Sequence, residues 1–239
     1  MTSGDRHDAT EAWDGPTRLF HWLLAALILA AWMSAEFATA LGDHRLVWHR
    51  WTGLAVLVVL VWRLVWGFAG PDRARFTSFL RGPGAALRYA RRLLAGAPER
   101  YLGHNPLGAL MIVALLAVLT LQASLGLFAT DDSDLTGGPL HRLVSEELND
   151  RAAGWHNLIF HFGLLPLIAL HIAANVLYGL AKREPLIRAM ITGRKPAGDY
   201  ADAGAAHALS RPWLTAAVIL VAAIVIVFGS LIAAGGRFR

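Results

Sequence analysis

The chain has 239 residues, 56% of them hydrophobic and only 16% charged, with a mean hydropathy of +0.46. An average soluble domain is nearer half apolar and a quarter charged, so this composition belongs to a polytopic membrane protein. The net charge of +5 is almost all arginine and falls between apolar runs, with the aromatic residues inside those runs rather than along a basic groove; it therefore reports membrane topology and excludes nucleic acid as a partner.

Five apolar runs predict five spans. The first covers about Leu19 to Phe37. Ala38-Thr39-Ala40 behind it resembles a signal-peptide cleavage site, but the apolar core is long and follows Asp5, Asp8, Glu11 and Asp14, so a retained helix is expected. The second covers about Val47 to Phe68 and is interrupted only by Arg50 and Arg63. In the connection that follows, Pro83 to Ala95 places Arg88, Arg91 and Arg92 on one face opposite Leu87, Leu93 and Leu94, the pattern of a helix lying on a membrane surface and anchored to anionic lipid. The third span covers about Leu107 to Ala129. The loop after it carries Asp131, Asp132, Asp134, Glu146, Glu147 and Asp150, either a docking surface or simply a solvated loop. The fourth span, about Ala153 to Leu180, lies in a stretch from Ala152 to Ala181 without Asp, Glu, Lys or Arg. The fifth, about Trp213 to Ala234, lies in a second charge-free run from Pro212 to Gly236 and is read as a packing or partner-contact helix.

Of the 22 Lys and Arg residues, fifteen fall before the first span, between the second and third, and after the fourth. Six fall on the opposite side, and Arg63 lies within a span. The positive-inside rule then puts the amino terminus in the cytoplasm of a bacterial cell and the carboxyl terminus on the periplasmic side of the inner membrane.

Ionisable residues inside spans are costly and mark function. His156 and His171 are fifteen residues apart on one span, about 22 Å along a helix, which sets one imidazole near each face of the hydrocarbon layer. Under the predicted topology His49 starts the second span at the depth of His156, and His21 starts the first at the depth of His171. Two imidazole couples at two depths suit the axial ligands of two low-spin haems. With no cysteine in the chain, thiolate-held clusters and thioether-linked haem are ruled out. His161 competes with His156 for its place. His44 reads as loop or interface, and His7, His141 and His207 look peripheral. His104, at the cytoplasmic start of the third span, is either a donor to a haem propionate or quinone, or an interfacial residue.

Fifteen residues leave the two imidazoles of the fourth span about 60° out of phase, whereas fourteen would leave about −40°. Gly163 and Pro166 lie between them, so a kink or single-residue π-bulge between Phe162 and Leu167 is expected. Arg63 follows His49 by fourteen residues, on nearly the same face about 21 Å deeper. There it would pair with propionates of the inner haem, the alternative being a side chain that snorkels to the cytoplasmic boundary. Arg18, Arg63 and His104 form the candidate quinone cluster.

Trp13-Asp14-x-x-Thr17-Arg18-x-x-His21-Trp22, His49-Arg50-x-x-Gly53 and Arg63-Leu64-x-Trp66-Gly67 resemble the bacterial cytochrome b561/Ni–Fe-hydrogenase b-type subunit family. Gly103-His104-Asn105-Pro106-Leu107-Gly108 and Met190-Ile191-x-Gly193-Arg194-Lys195 add to the resemblance, which covers about residues 12 to 196. It implies an all-α membrane protein, a four-helix transmembrane bundle binding two b haems, here with a linker and fifth transmembrane helix over 197–239. It also implies His21, His49, His156 and His171 as iron ligands. The histidine spacing in the fourth span is one residue longer than the family leads one to expect, which bears on His156. Members pass electrons between a partner and membrane quinone; the partner implied is a hydrogenase, a c-type cytochrome or a molybdoenzyme. Two other readings stand beside this one: a superoxide oxidase that reduces quinone without a partner, and a haem-free structural or assembly subunit.

Overall fold

The computed structural model describes residues 9–37, 45–130, 137–204 and 208–238. Of the residues weighed above, Asp5, Arg6, His7, Asp8, Ala38, Thr39, Ala40, His44, Asp131, Asp132, Asp134, His207 and Arg239 lie outside them.

Five helices are long and apolar enough to cross a bilayer, and the protein is an all-α, multi-pass membrane protein. They are α1 (Gly15–Glu36), α2 (Arg45–Ala69), α5 (Pro106–Gly126), the fourth span, and α9 (Pro212–Ala233). The fourth span consists of α6 (Glu146–Ile159), a π turn (Phe160–Leu164) and α7 (Leu165–Lys182). Shorter helices are α3 (Phe76–Phe79), α4 (Gly82–Leu94) and α8 (Leu186–Thr192). Strands β1 (Ala9–Glu11) and β2 (Arg194–Pro196) pair antiparallel, with Thr10 opposite Lys195.

The fourth helix starts at Glu146, ahead of the apolar run. Glu146 and Glu147 occupy its first turn, where carboxylates favour the positive helix end, and Glu147 pairs with Arg151 one turn on at 2.8 Å. Hydropathy alone misses this polar first part of the helix. The π turn lies where the histidine spacing and Pro166 called for an irregularity, starting two residues earlier than expected. The Leu165 amide donates to the Phe160 carbonyl, five residues back. Proline has no N–H to give to the carbonyl four residues before it and crowds that carbonyl, so a widened turn next to Pro166 relieves the clash.

Helix α4 spans the expected amphipathic segment, but its apolar residues divide. Ala86 and Tyr89 are buried, whereas Leu87 and Leu94 are exposed alongside the arginines.

By packing, the chain forms two units. Unit 1 comprises 1–19, 65–114 and 167–216, and unit 2 comprises 20–64, 115–166 and 217–239. Unit 1 gathers the start of α1, the end of α2, the start of α5, the end of the fourth span and the start of α9, so successive spans alternate in direction within it. The family-like motifs knit this unit together. Asp14 caps α1, accepting from the Thr17 amide (2.8 Å) and hydroxyl (2.6 Å), and Trp66 Nε1 donates to Thr17 Oγ1 at 3.2 Å. The Ala12 and Trp13 amides both donate to the Gly193 carbonyl. Gly193 has φ +82°, and a Cβ there would crowd the Trp13 carbonyl and Arg18, so glycine is required. Asp202 accepts from the Leu102 and Gly103 amides, and Lys195 Nζ donates to the Tyr101 carbonyl. Burial pushes the Lys195 ammonium below the ordinary lysine value, an effect that Glu184 and Asp202 partly offset.

Unit 2 contains most of α2, whose Leu54, Val56, Val58, Val59, Leu60 and Trp62 are buried. Half of the apolar window of α2 is buried, against 6–22% in the other four spans, so α2 is the most enclosed helix.

Candidate functional site

In unit 2, α2 and α6 bring His49 and His156 together. Their ring centroids are 5.9 Å apart and their planes nearly perpendicular, at 84°. His49 Nδ1 lies 2.9 Å from the Ala31 carbonyl of α1, with Ser34 Oγ at 3.5 Å. His156 Nδ1 lies 3.0 Å from the Gln122 carbonyl of α5. A carbonyl can only accept, so both rings carry their proton on Nδ1, and the Nε2 lone pairs are the donor atoms left for a metal. A metal–imidazole bond of about 2 Å, with the ring centroid about 1 Å behind the nitrogen, puts two axial imidazoles about 6 Å apart. The observed centroid separation of 5.9 Å is close to that value.

These rings line a cavity of about 260 Å³ whose other walls include Leu46, Arg50, Gly53, Leu54, Ala123, Gly126, Gly137, Gly138 and Pro139. Glycines make the space. A Cβ on Gly53 would meet nothing within 4 Å, and one on Gly126 would press on His156 Cε1 at 3.1 Å. His161 is placed differently. It is exposed at the π turn, and its Nδ1 bonds the Asn157 carbonyl of its own helix at 3.0 Å.

His21 and Arg63 also belong to unit 2. His21 is half-buried, edge-on to Trp22 at 4.9 Å. Arg63 is buried, its guanidinium 5.7 Å from the ring of Phe20, the residue before His21. It is not a surface side chain reaching for solvent. His171, Arg18 and His104 belong to unit 1. The Asn175 amide donates to the His171 carbonyl at 2.7 Å and lies 3.4 Å from His171 Nε2. Arg18 Nη1 donates to the Ile191 carbonyl at 2.6 Å, which ties it to the Gly193 clamp. His104 sits between Trp13 and Phe79 at centroid distances of 4.6 and 4.7 Å.

The sequence profile of prokaryotic cytochrome b561 matches residues 12–193. The chain belongs to that family. It is therefore a membrane b-type cytochrome of electron transfer, and haem b is the cofactor the family implies. Among curated proteins, the cytochrome is 24% identical over 225 residues to a probable Ni/Fe-hydrogenase B-type cytochrome subunit of Azotobacter vinelandii, covering 79% of this chain and 89% of that protein. It is 23% identical over 223 residues to the protein of the same description from Azotobacter chroococcum mcd 1, with the same coverages. No solved structure matches it.

The His49–His156 geometry fits such a cofactor: two facing imidazoles held through Nδ1 by backbone carbonyls, beside a cavity kept open by glycine. Sequence reasoning counted Arg50 among the basic residues of one side, as an interruption of the second span and as part of the His49-Arg50-x-x-Gly53 motif, but gave it no place at the site. It did not find the Ala31 and Gln122 carbonyls that fix the two ring tautomers. The small residues Gly53 and Gly126 were the available signal for a cavity, but two glycines in apolar runs do not by themselves name what they face.

Proposed function

We propose that this cytochrome carries two b haems and moves electrons one at a time across the bacterial inner membrane between a partner redox protein and quinone. His49 and His156 would hold the outer haem, and His21 and His171 the inner one. The observation that carries the reading is the His49–His156 couple, with both Nδ1 atoms engaged by backbone carbonyls. The inner couple rests on helix order and the depth of each residue along its span.

Bound haem supplies a one-electron Fe(II)/Fe(III) couple that needs no open coordination site. The chain does the rest. Ala31 and Gln122 orient the imidazoles and raise their basicity, and buried apolar residues of α2 exclude water and lower the local dielectric. Arg63, next to the Phe20 ring, would neutralise propionate charge at the level of His21. Arg18 and His104 would serve a quinone or propionate at the same side, together with Arg63.

The partner we favour is a Ni/Fe hydrogenase, because the similar Azotobacter proteins are described as its cytochrome subunits. The connections 70–105 and 183–211, rich in arginine and lysine, both belong to unit 1, which supports a cytoplasmic amino terminus.

Reduced-minus-oxidised spectroscopy with a haem-to-protein ratio tests the proposal. Two b haems per chain are expected, with His49→Ala and His156→Ala each losing one, and the same one. A preparation without b-type bands would leave a haem-free subunit, and a ratio of one would remove the inner couple.

A further inference from the structure

Helix α9 lies beyond the residues that match the family, yet its end reaches the wall of the His49–His156 cavity. The helix stops in a Schellman turn: the Gly236 amide donates to the Leu231 carbonyl at 2.7 Å and the Gly235 amide to the Ile232 carbonyl at 2.9 Å. Gly235 has φ +86°, a left-handed conformation that glycine adopts without strain. This reversal turns the last residues back onto the cavity. The Arg237 amide donates to the Pro139 carbonyl at 2.8 Å, and Arg50 Nη2 donates to the Phe238 carbonyl at 3.1 Å. Pro139 and Arg50 both line the cavity. Trp51, next to Arg50, stacks on Phe228 of α9 and on Phe238, with planes 28° and 22° from parallel. Two hydrogen bonds and a three-ring stack thus clasp the tail to the site.

Among the described residues that line this cavity, Arg50 is the one lysine, arginine or carboxylate side chain. Haem b carries two carboxylates, and a guanidinium with five donors in a planar fork can serve a carbonyl and a carboxylate together. We propose that the 235–238 tail is part of the outer cofactor site, aiming Arg50 at the haem carboxylates and bracing the Gly138–Pro139 wall. The inference rests on the reading that His49 and His156 hold a haem. Arg50 is the contact, and Phe238 is a positioning residue that acts through it.

The test is a redox titration of the purified, haem-loaded protein, with His156→Ala identifying which midpoint belongs to the outer haem. Arg50→Gln removes a positive charge beside that haem and should lower its midpoint while leaving the other unchanged. Truncation after Gly236 should shift the same midpoint in the same direction. Arg50→Lys should restore part of the loss. Truncation on top of Arg50→Gln should add little, because both break one device. An outer midpoint that stays at the wild-type value after truncation overturns the inference, and so do equal shifts at both haems. If His156→Ala keeps both haems, the ligand reading fails instead, and the tail proposal falls with it.

Discussion

Asp14 accepts two hydrogen bonds from Thr17, and Thr17 accepts one from the Trp66 indole, so a single carboxylate both starts α1 and fixes its first turn to the end of α2. Asp14→Ala should cost about 1 kcal/mol of stability, the usual loss for an N-cap, while Asn should retain most of it. Thermal unfolding in detergent would read this, and equal midpoints for wild type and Asp14→Ala would show that the cap contributes nothing. Arg63 is the other heavily weighted residue. A buried guanidinium is costly unless its charge is used, and its neighbour Phe20 adjoins His21. Arg63→Leu should lower the inner midpoint more than the outer one, and equal shifts would argue against propionate pairing. Arg63 stood out in the sequence as a charge inside a span. Arg50 interrupts the same span, but its tie to a carbonyl 188 residues away is recorded in no local run of residues.

At the scale of the element, the fourth span was legible in unusual detail. The fifteen-residue histidine spacing, with Gly163 and Pro166 between, called for one extra residue in the helix, and the π turn at Phe160–Leu164 provides it. A π turn is in effect a one-residue insertion, so deleting exposed Phe162 should restore a plain helix and leave the flanking faces in phase. Both haems should survive that deletion. Deleting Ala169 from α7 instead rotates His156 against His171 by about 100° and should cost one haem of two. Haem-to-protein ratios decide, and equal losses in the two deletions would sink the phase argument. Helix α4 was legible only in outline. Its helical period and its arginines were plain, but which apolar residues it buries depends on its neighbours, and those take Ala86 and Tyr89 rather than Leu87 and Leu94.

For the whole molecule, the alternation of span directions within unit 1 and the placing of the basic connections make a prediction about orientation. A reporter enzyme that folds only outside the cytoplasm should be active when fused after Phe238 and inactive when inserted at Gly96. The reverse pattern would invert the topology and exchange the outer and inner labels. Either way, the five spans and their order stand on composition, since a run of about 20 apolar residues has few other stable fates than to cross a bilayer.

The amino-acid sequence by itself determined how many spans there are, roughly where each begins and ends, and how far along each span its histidine lies. These are one-dimensional properties, set by hydropathy and by a constant rise per residue. Only the tertiary structure decided which way the rings face, which carbonyls take their Nδ1 protons, where glycine leaves a cavity, and that the tail after α9 reaches back to Arg50. Rotation about a helix axis and contact between distant segments follow from side-chain packing, and no local run of residues encodes them alone.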